Sequence, residues 1–298
     1  DEEGNLRCDG QSMRGIVSDL LAQGHVDRRP FIVDSAAKIV DNVKKIKHHI
    51  GDKAQICFPL NAKHTLRVLS ILRAEGLAAQ VEAGADMHKI TACKLPTAEC
   101  VVNGTSHYSD NKLRDFIEGD MLFRIYSTPD LKFLKEAMQD SEGRLLVANL
   151  KKVKVMLPSE VFPPPKAACG MENLSSLVSA LQKTNEAGKD GLTHVFHPVG
   201  IHCRVSSDVP LEGAAELIKQ EMDQIKAVSN GQGPYSVFVG GLDGRIEEAK
   251  QFVTEVAALC SARVYVKMAE DILHEARVMV DRVLHCSPSG EEVTLQLG

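Results

Sequence analysis

The stretch QICFPLNAKHTLRVLSILRAEGLAAQVE (Gln55–Glu82) contains a complete structural unit. It opens on a short apolar run, Gln55 to Pro59, closed by proline. A helical stripe follows, with Leu66, Leu69 and Leu72 recurring on one face. A second apolar run, Ala78 to Glu82, completes a strand–helix–strand pattern. Runs this short and this continuously apolar are buried on both faces, so they read as parallel neighbours in a sheet covered by helices.

The rhythm continues on both sides. Strands are predicted at Pro30–Val33, Glu99–Val102, Met121–Ile125, Arg144–Ala148 or Val153–Leu157, Leu192–Phe196, Tyr235–Val239 and Arg263–Lys267. Two of the candidates compete for one place, which leaves about eight. Helical spacing recurs in Ser35–His48, where Ile39, Val43 and Ile46 follow a serine cap. It recurs again in Leu131, Leu134, Met138 and in Ile218, Met222, Ile225. Repeated strand–helix units without a nucleotide-type glycine fingerprint predict a closed (β/α)8 TIM-like barrel rather than an open doubly wound sheet. The expected organisation is a lead-in over 1–29, the barrel over 30–285 and a small β segment over 286–298. Pro158–Gly170, with Pro163-Pro164-Pro165, is expected to form a polyproline-like rim loop. The two chain ends are expected to meet in an accessory β piece.

Composition limits the partners. The 298 residues carry 35 basic and 40 acidic side chains, a net charge of −5, with no basic block. This argues against nucleic acid and membrane surfaces as partners, and no apolar run approaches the roughly 20 residues that span a bilayer. Eight cysteines lie apart without a C-x-x-C pair and read mostly as buried thiols. A cytoplasmic protein is expected, with secretion left open by two sequons, Asn103-Gly104-Thr105 and Asn173-Leu174-Ser175, and by the start at Asp1. His194, His197, His202 and Cys203 cluster in sequence, but His194 and His197 differ by an odd number and face opposite ways on a strand, so no metal is expected.

Four segments carry a family likeness: ICFPLNAKHTLRVLSILRAEGL (Ile56–Leu77), VEAGADMHKI (Val81–Ile90), GLTHVFHPVGIHC (Gly191–Cys203) and SVFVGGLDG (Ser236–Gly244). Their order resembles the barrel domain of the ornithine/diaminopimelate-type pyridoxal-phosphate decarboxylases, which share the alanine racemase-like fold, and of the antizyme inhibitors related to them. The resemblance implies a second β domain, reduced here to 286–298. It also exposes departures. In that family one strand ends in aromatic-Ala-Val-Lys-Ala/Cys-Asn, and its lysine forms the imine with the cofactor aldehyde. Here the strand reads Phe58-Pro59-Leu60-Asn61-Ala62-Lys63, so Asn61 stands at the lysine position and an amide cannot form an imine. Lys63 shares the parity of Asn61 but lies about 6–7 Å further along. The family's Gly-Gly-Gly phosphate turn reads Gly240-Gly241-Leu242. His197 aligns with the ring-stacking histidine, with Pro198 as an inserted residue and Ile201 in place of serine. Met268 aligns with the acid that pairs with the pyridine nitrogen, and no arginine follows it.

The resemblance therefore implies a catalytically silent relative without pyridoxal phosphate, acting by binding: to itself as a homodimer, to a decarboxylase- or antizyme-like protein, or to a small ligand in the barrel mouth. Asn111–Glu118 falls where the antizyme-binding helix is thought to lie, but its mixed charges do not make a basic docking face. The alternative is an active pyridoxal-phosphate amino-acid decarboxylase using Lys63 or another lysine. Barrel sites form at the carboxyl ends of strands, which gives Asn61, Lys63, Glu82, Asn103, His197 and Asp243 as the candidate pocket, with Gly240 and Gly241 as relics of the phosphate turn.

Overall fold

A computed structural model describes residues 6–24, 31–60, 65–139, 152–163, 171–186, 195–206 and 208–280, with the backbone of 283–286 and 293–295. It comprises two units, Asp1–Lys45 with Glu270–Gly298, and Ile46–Ala269.

In the larger unit, eight strands close into a parallel barrel in chain order: β1 Ala54–Pro59, β2 Ala78–Val81, β3 Val101–Asn103, β4 Leu122–Arg124, β5 Val153–Pro158, β6 Phe196–Arg204, β7 Tyr235–Gly240 and β8 Ala262–Lys267, with β8 pairing β1. Helix α1 Ala36–Ile50 starts in the smaller unit, which also holds the helices Met13–Ala22 and Glu270–Leu273; the larger unit carries α2 Leu66–Ala74, α3 Asp86–Cys93, α4 Asp110–Glu118, α5 Thr128–Ala137, α6 Leu174–Glu186, α7 Ala214–Val228 and α8 Ile246–Cys260. Their starts follow from sequence. Ser35 accepts from the Lys38 N–H (3.0 Å) at the head of α1, Thr65 caps α2 through Val68 N–H, and Ser127 with Asp130 forms a capping box before α5. Most of the apolar stripes read from sequence are buried, including Leu69 and Leu72 of α2, Leu131 and Leu134 of α5, and Ile218, Met222 and Ile225 of α7. Leu66, expected on the same face, is exposed at the first position of α2, and Val68 is buried beside Leu69 and Leu72 instead.

One residue from each strand enters a single buried cluster: Cys57, Ala78, Val101, Leu122, Met156, Val199, Phe238 and Tyr265. Only the barrel interior can collect one side chain from all eight strands, so this layer fixes which parity points inward. By the period of two, Gln80 and Glu82, Asn103, Arg124 and Tyr126, and Lys267 share that face nearer the carboxyl end.

Several boundaries differ from the sequence reading. Pro30–Val33 is not a barrel strand: Phe31–Asp34 pairs antiparallel with Arg277–Val280, where Arg277 also binds Asp34 (2.6 Å). The barrel strands thus run from Ala54 to Lys267. The fifth strand is Val153–Pro158, and Arg144–Ala148 lies outside the described residues. The sixth runs for nine residues from Phe196, straight through Pro198; of the expected Leu192–Phe196, residues 192–194 lie outside the described residues. Val155 pairs with Pro198 and Met156 with Gly200, so Val199 is the extra residue of a β-bulge. A bulge tolerates a proline that donates no ladder bond, and it turns the inserted residue into a core side chain. Gly200 follows because β7 passes close by: a Cβ there would lie 1.6 Å from the Ser236 carbonyl oxygen. In the smaller unit, Val283–Cys286 and Val293–Leu295 form an antiparallel hairpin. No helix among the described residues is long and apolar enough to cross a membrane.

Candidate ligand site at the barrel mouth

The inward parity of β2, β3, β4 and β8 delivers a connected polar network to the carboxyl end of the barrel. Glu82 lies at its centre. Its Oε2 accepts from Asn103 Nδ2 (2.8 Å), its Oε1 accepts from Gln80 Nε2, and Lys267 Nζ stands 3.9 Å from the same Oε1. Asn103 Oδ1 in turn accepts from the Tyr126 hydroxyl (2.6 Å). Burial pushes that phenol upward, the nearby Arg124 charge pulls it back, and Tyr126 remains a donor at neutral pH.

Tyr126 meets the ring of His202 edge-on at 4.7 Å. His202 is fully buried, and its Nε2 lies 2.9 Å from the Ile125 carbonyl. A carbonyl can only accept, which puts the proton on Nε2 and leaves Nδ1 to accept from Arg124 Nη2 at 3.5 Å. Burial and the Arg124 charge hold His202 well below its ordinary value, so it is neutral. Arg124 is itself buried, with its guanidinium over the rings of Phe238 (4.5 Å) and Tyr126 (5.5 Å). Two buried polar atoms find no hydrogen-bond partner among the described residues, Arg124 Nε and Gln80 Oε1, and both belong to this network.

Of the pocket expected from sequence, the structure joins Glu82 with Asn103. Asn61 and Lys63 lie outside the described residues. Asp243 accepts from the Ala269 N–H (2.9 Å), tying the loop after β7 to the loop after β8. His197 is misplaced by the sequence reading. It is the second residue of β6, paired with Lys154 at the amino end, and the strand runs seven residues further, about 23 Å, before it reaches the mouth. Burial pushes its imidazole down, with Lys152 and Lys154 acting in the same direction. Met268 is also corrected. It shares the outward parity of Val264 and Val266 and is fully buried, with its N–H bonded to the Cys57 carbonyl (3.1 Å); the inward residue at this strand end is Lys267. Gly241 is held by packing: its φ is +85°, and a Cβ would lie 2.0 Å from the Val205 carbonyl oxygen. Leu242 beside it is fully buried.

Sequence reasoning missed Gln80, Arg124, Tyr126, His202 and Lys267. The signal was available in β4, where Leu122-Phe123-Arg124-Ile125-Tyr126 alternates a charge and a phenol into an apolar strand.

Comparisons with known proteins fit this architecture. No family model matches the chain. It is 24% identical over 238 residues to the probable diaminopimelate decarboxylase, chloroplastic, of Oryza sativa subsp. japonica; the match covers 76% of this chain and 45% of that protein. The chain thus spans less than half the length of the curated relative it matches. Among solved structures, lysine decarboxylase from Selenomonas ruminantium superposes with a TM-score of 0.71 at 15% identity, covering 98% of this chain and 73% of that one. The Paramecium bursaria Chlorella virus arginine decarboxylase bound to agmatine gives 0.69 at 13%, covering 92% and 72%. The lysine/ornithine decarboxylase from Vibrio vulnificus complexed with putrescine gives 0.65 at 13%, covering 94% and 73%. The sequence likeness and the shared barrel relate the chain to decarboxylases of this fold.

Proposed function

We propose that this chain is a non-catalytic relative of the pyridoxal-phosphate decarboxylases and works by binding at its barrel mouth. The observation that carries the reading is Lys267. When bound, pyridoxal phosphate supplies an electron sink, and that sink depends on an acid beside the ring nitrogen. The resemblance expects that acid at the end of β8, where the inward side chain is a cation. Other residues support the same reading. Asn61 replaces the lysine that would hold the aldehyde. Leu242 fills the third place of the phosphate turn with a buried side chain, and the Val205 carbonyl by itself accounts for the glycine at 241. On this reading the residues do not suit the cofactor, and the histidine near the carboxyl end of β6 is His202 rather than His197.

The test is direct. The purified chain incubated with pyridoxal phosphate is expected to show no visible absorption band, no borohydride-trapped adduct, and no carbon dioxide release from diaminopimelate, lysine, ornithine or arginine. Turnover together with an adduct mapped by peptide mass to Lys63, Lys267 or any other lysine would overturn it.

A further inference from the structure

Resting on that reading and deepening it, we propose that the barrel mouth binds a small carboxylate, with Arg124 as its principal partner and Lys267 at its approach. The argument is one of charge. The inward side chains of the network comprise two cations, Arg124 and Lys267, and one carboxylate, Glu82. Glu82 is already engaged by Asn103, Gln80 and Lys267. Arg124 is 7% exposed, yet its polar partner among the described residues is the neutral Nδ1 of His202, with aromatic rings beside it.

A buried guanidinium is costly to keep without a counter-charge, and its planar donors match a carboxylate. Its Nε is already desolvated and lacks an acceptor. Gln80 adds a second requirement. Its amide orientation is set by donating Nε2 to Glu82, which leaves a buried Oε1 that calls for a donor. A ligand carrying a carboxylate and a hydroxyl supplies both complements, and the rings of Tyr126, Phe238 and His202 suit a flat body. Lys267, with a side chain 32% exposed, connects the network to solvent and draws in anions.

The experiment uses 4-hydroxybenzoate, benzoate and lactate as probes, with 4-hydroxybenzamide and inorganic phosphate as controls, read by calorimetry and thermal shift on the full chain. The hydroxylated carboxylates are expected to bind and raise Tm, with the amide and phosphate at least about tenfold weaker, as the loss of a charge-assisted contact implies. Arg124→Met should abolish carboxylate binding. Because Arg124→Met also removes the donor to His202, circular dichroism checks its fold, and the part-exposed Lys267→Met gives an independent arm with affinity reduced about threefold to tenfold. Carboxylates binding Arg124→Met as tightly as the parent, phosphate binding equally well, or no probe binding at all would overturn the proposal. Any of these with the pyridoxal-phosphate assays still negative leaves the non-catalytic reading standing; turnover would remove both.

Discussion

The two ends of the barrel interior treat charge differently. At the amino end, Arg263 donates to Gln55 (2.7 Å) and Glu99 (3.1 Å) while lying over Tyr265, and Lys154 pairs with Asp120 (3.0 Å). Each of these cations has an acid, and each pair is partly exposed, so solvent shares the load. At the carboxyl end, Arg124 is deeper, its polar neighbour is a neutral imidazole, and the orphaned atoms of the described chain lie in its network. An arrangement selected only for stability would resemble the amino end, because a buried charge lacking a counter-ion destabilises a fold. The contrast supports the proposed binding role of the mouth, in keeping with the general division of labour in these barrels.

The largest effect that could break the comparison is steric. Gly241→Ala would drive a Cβ to 2.0 Å from the Val205 carbonyl in a left-handed conformation. A loss of about 4 kcal/mol or more is expected, from backbone displacement plus the positive-φ penalty. Gly244→Ala is the matched control: its φ is also positive (+76°), but no heavy atom lies within 4 Å. It should cost only about 1 kcal/mol. Urea denaturation of both variants checks this. Equal losses would mean that the approach of β6 to the turn is not what requires glycine at 241, and would restore a ligand-binding reason for it.

Next in size is the knot beside the mouth. Glu221 of α7 accepts from Ser159 Oγ (2.6 Å), Glu160 N–H (2.6 Å) and Val161 N–H (3.1 Å), which pins the turn after β5. Burial pushes its carboxyl up, and these three donors restrain the rise. Glu221→Ala leaves buried donors unpaired and should cost about 3 kcal/mol. A loss below about 1 kcal/mol would show that the turn re-forms without its acceptor.

Much of this architecture was legible from sequence, and the reasons are physical. Strand parity, helix stripes and caps are local, so Gln55–Glu82 and α5 could be read directly. The insertion in β6 was legible, at Pro198, but the bulge it makes at Val199 was not: an inserted residue changes register only relative to β5 and β7, and the apolar run was expected to end at Phe196. Phe31–Asp34 misled for a similar reason, since an apolar run does not reveal which strand it pairs with. At the mouth, Glu82 and Asn103 were found as polar strand ends. Arg124 and His202 were missed because they lie deeper along their strands, where apolar neighbours dominate the pattern. Lys267 was missed by a single residue of parity.

A smaller effect is set by pH. In the folded protein His202 is held well below its ordinary value, so the unfolded chain takes up a proton first as pH falls. The stability that depends on neutral His202 is complete above about pH 6.5 and is lost below it, at up to about 1.4 kcal/mol per pH unit. Stability measured between pH 7.5 and 5 should therefore fall toward acid, and His202→Gln should flatten the slope. His197 shifts in the same direction but is more exposed, so His197→Gln should change the slope less. A slope untouched by His202→Gln would mean that protonation is absorbed elsewhere in the barrel.

The smallest predicted change in stability sharpens the comparison most. Arg263→Met at the amino end breaks part-exposed hydrogen bonds and an ion pair, and should cost about 1 kcal/mol. Arg124→Met at the mouth removes a buried cation that has no acid among the described residues, and it retains apolar packing against Phe238. The loss of its weak 3.5 Å contact to His202 is offset by relief of desolvation, so stability should stay within about 1 kcal/mol of the parent or rise. Chemical denaturation of the two variants side by side makes the comparison. A deeper, more buried arginine whose removal is tolerated better than that of a shallow one is the signature of a residue kept for binding. If Arg124→Met instead loses more than about 2 kcal/mol, the mouth is held together by its arginine just as the floor is, and the asymmetry of charge is structural.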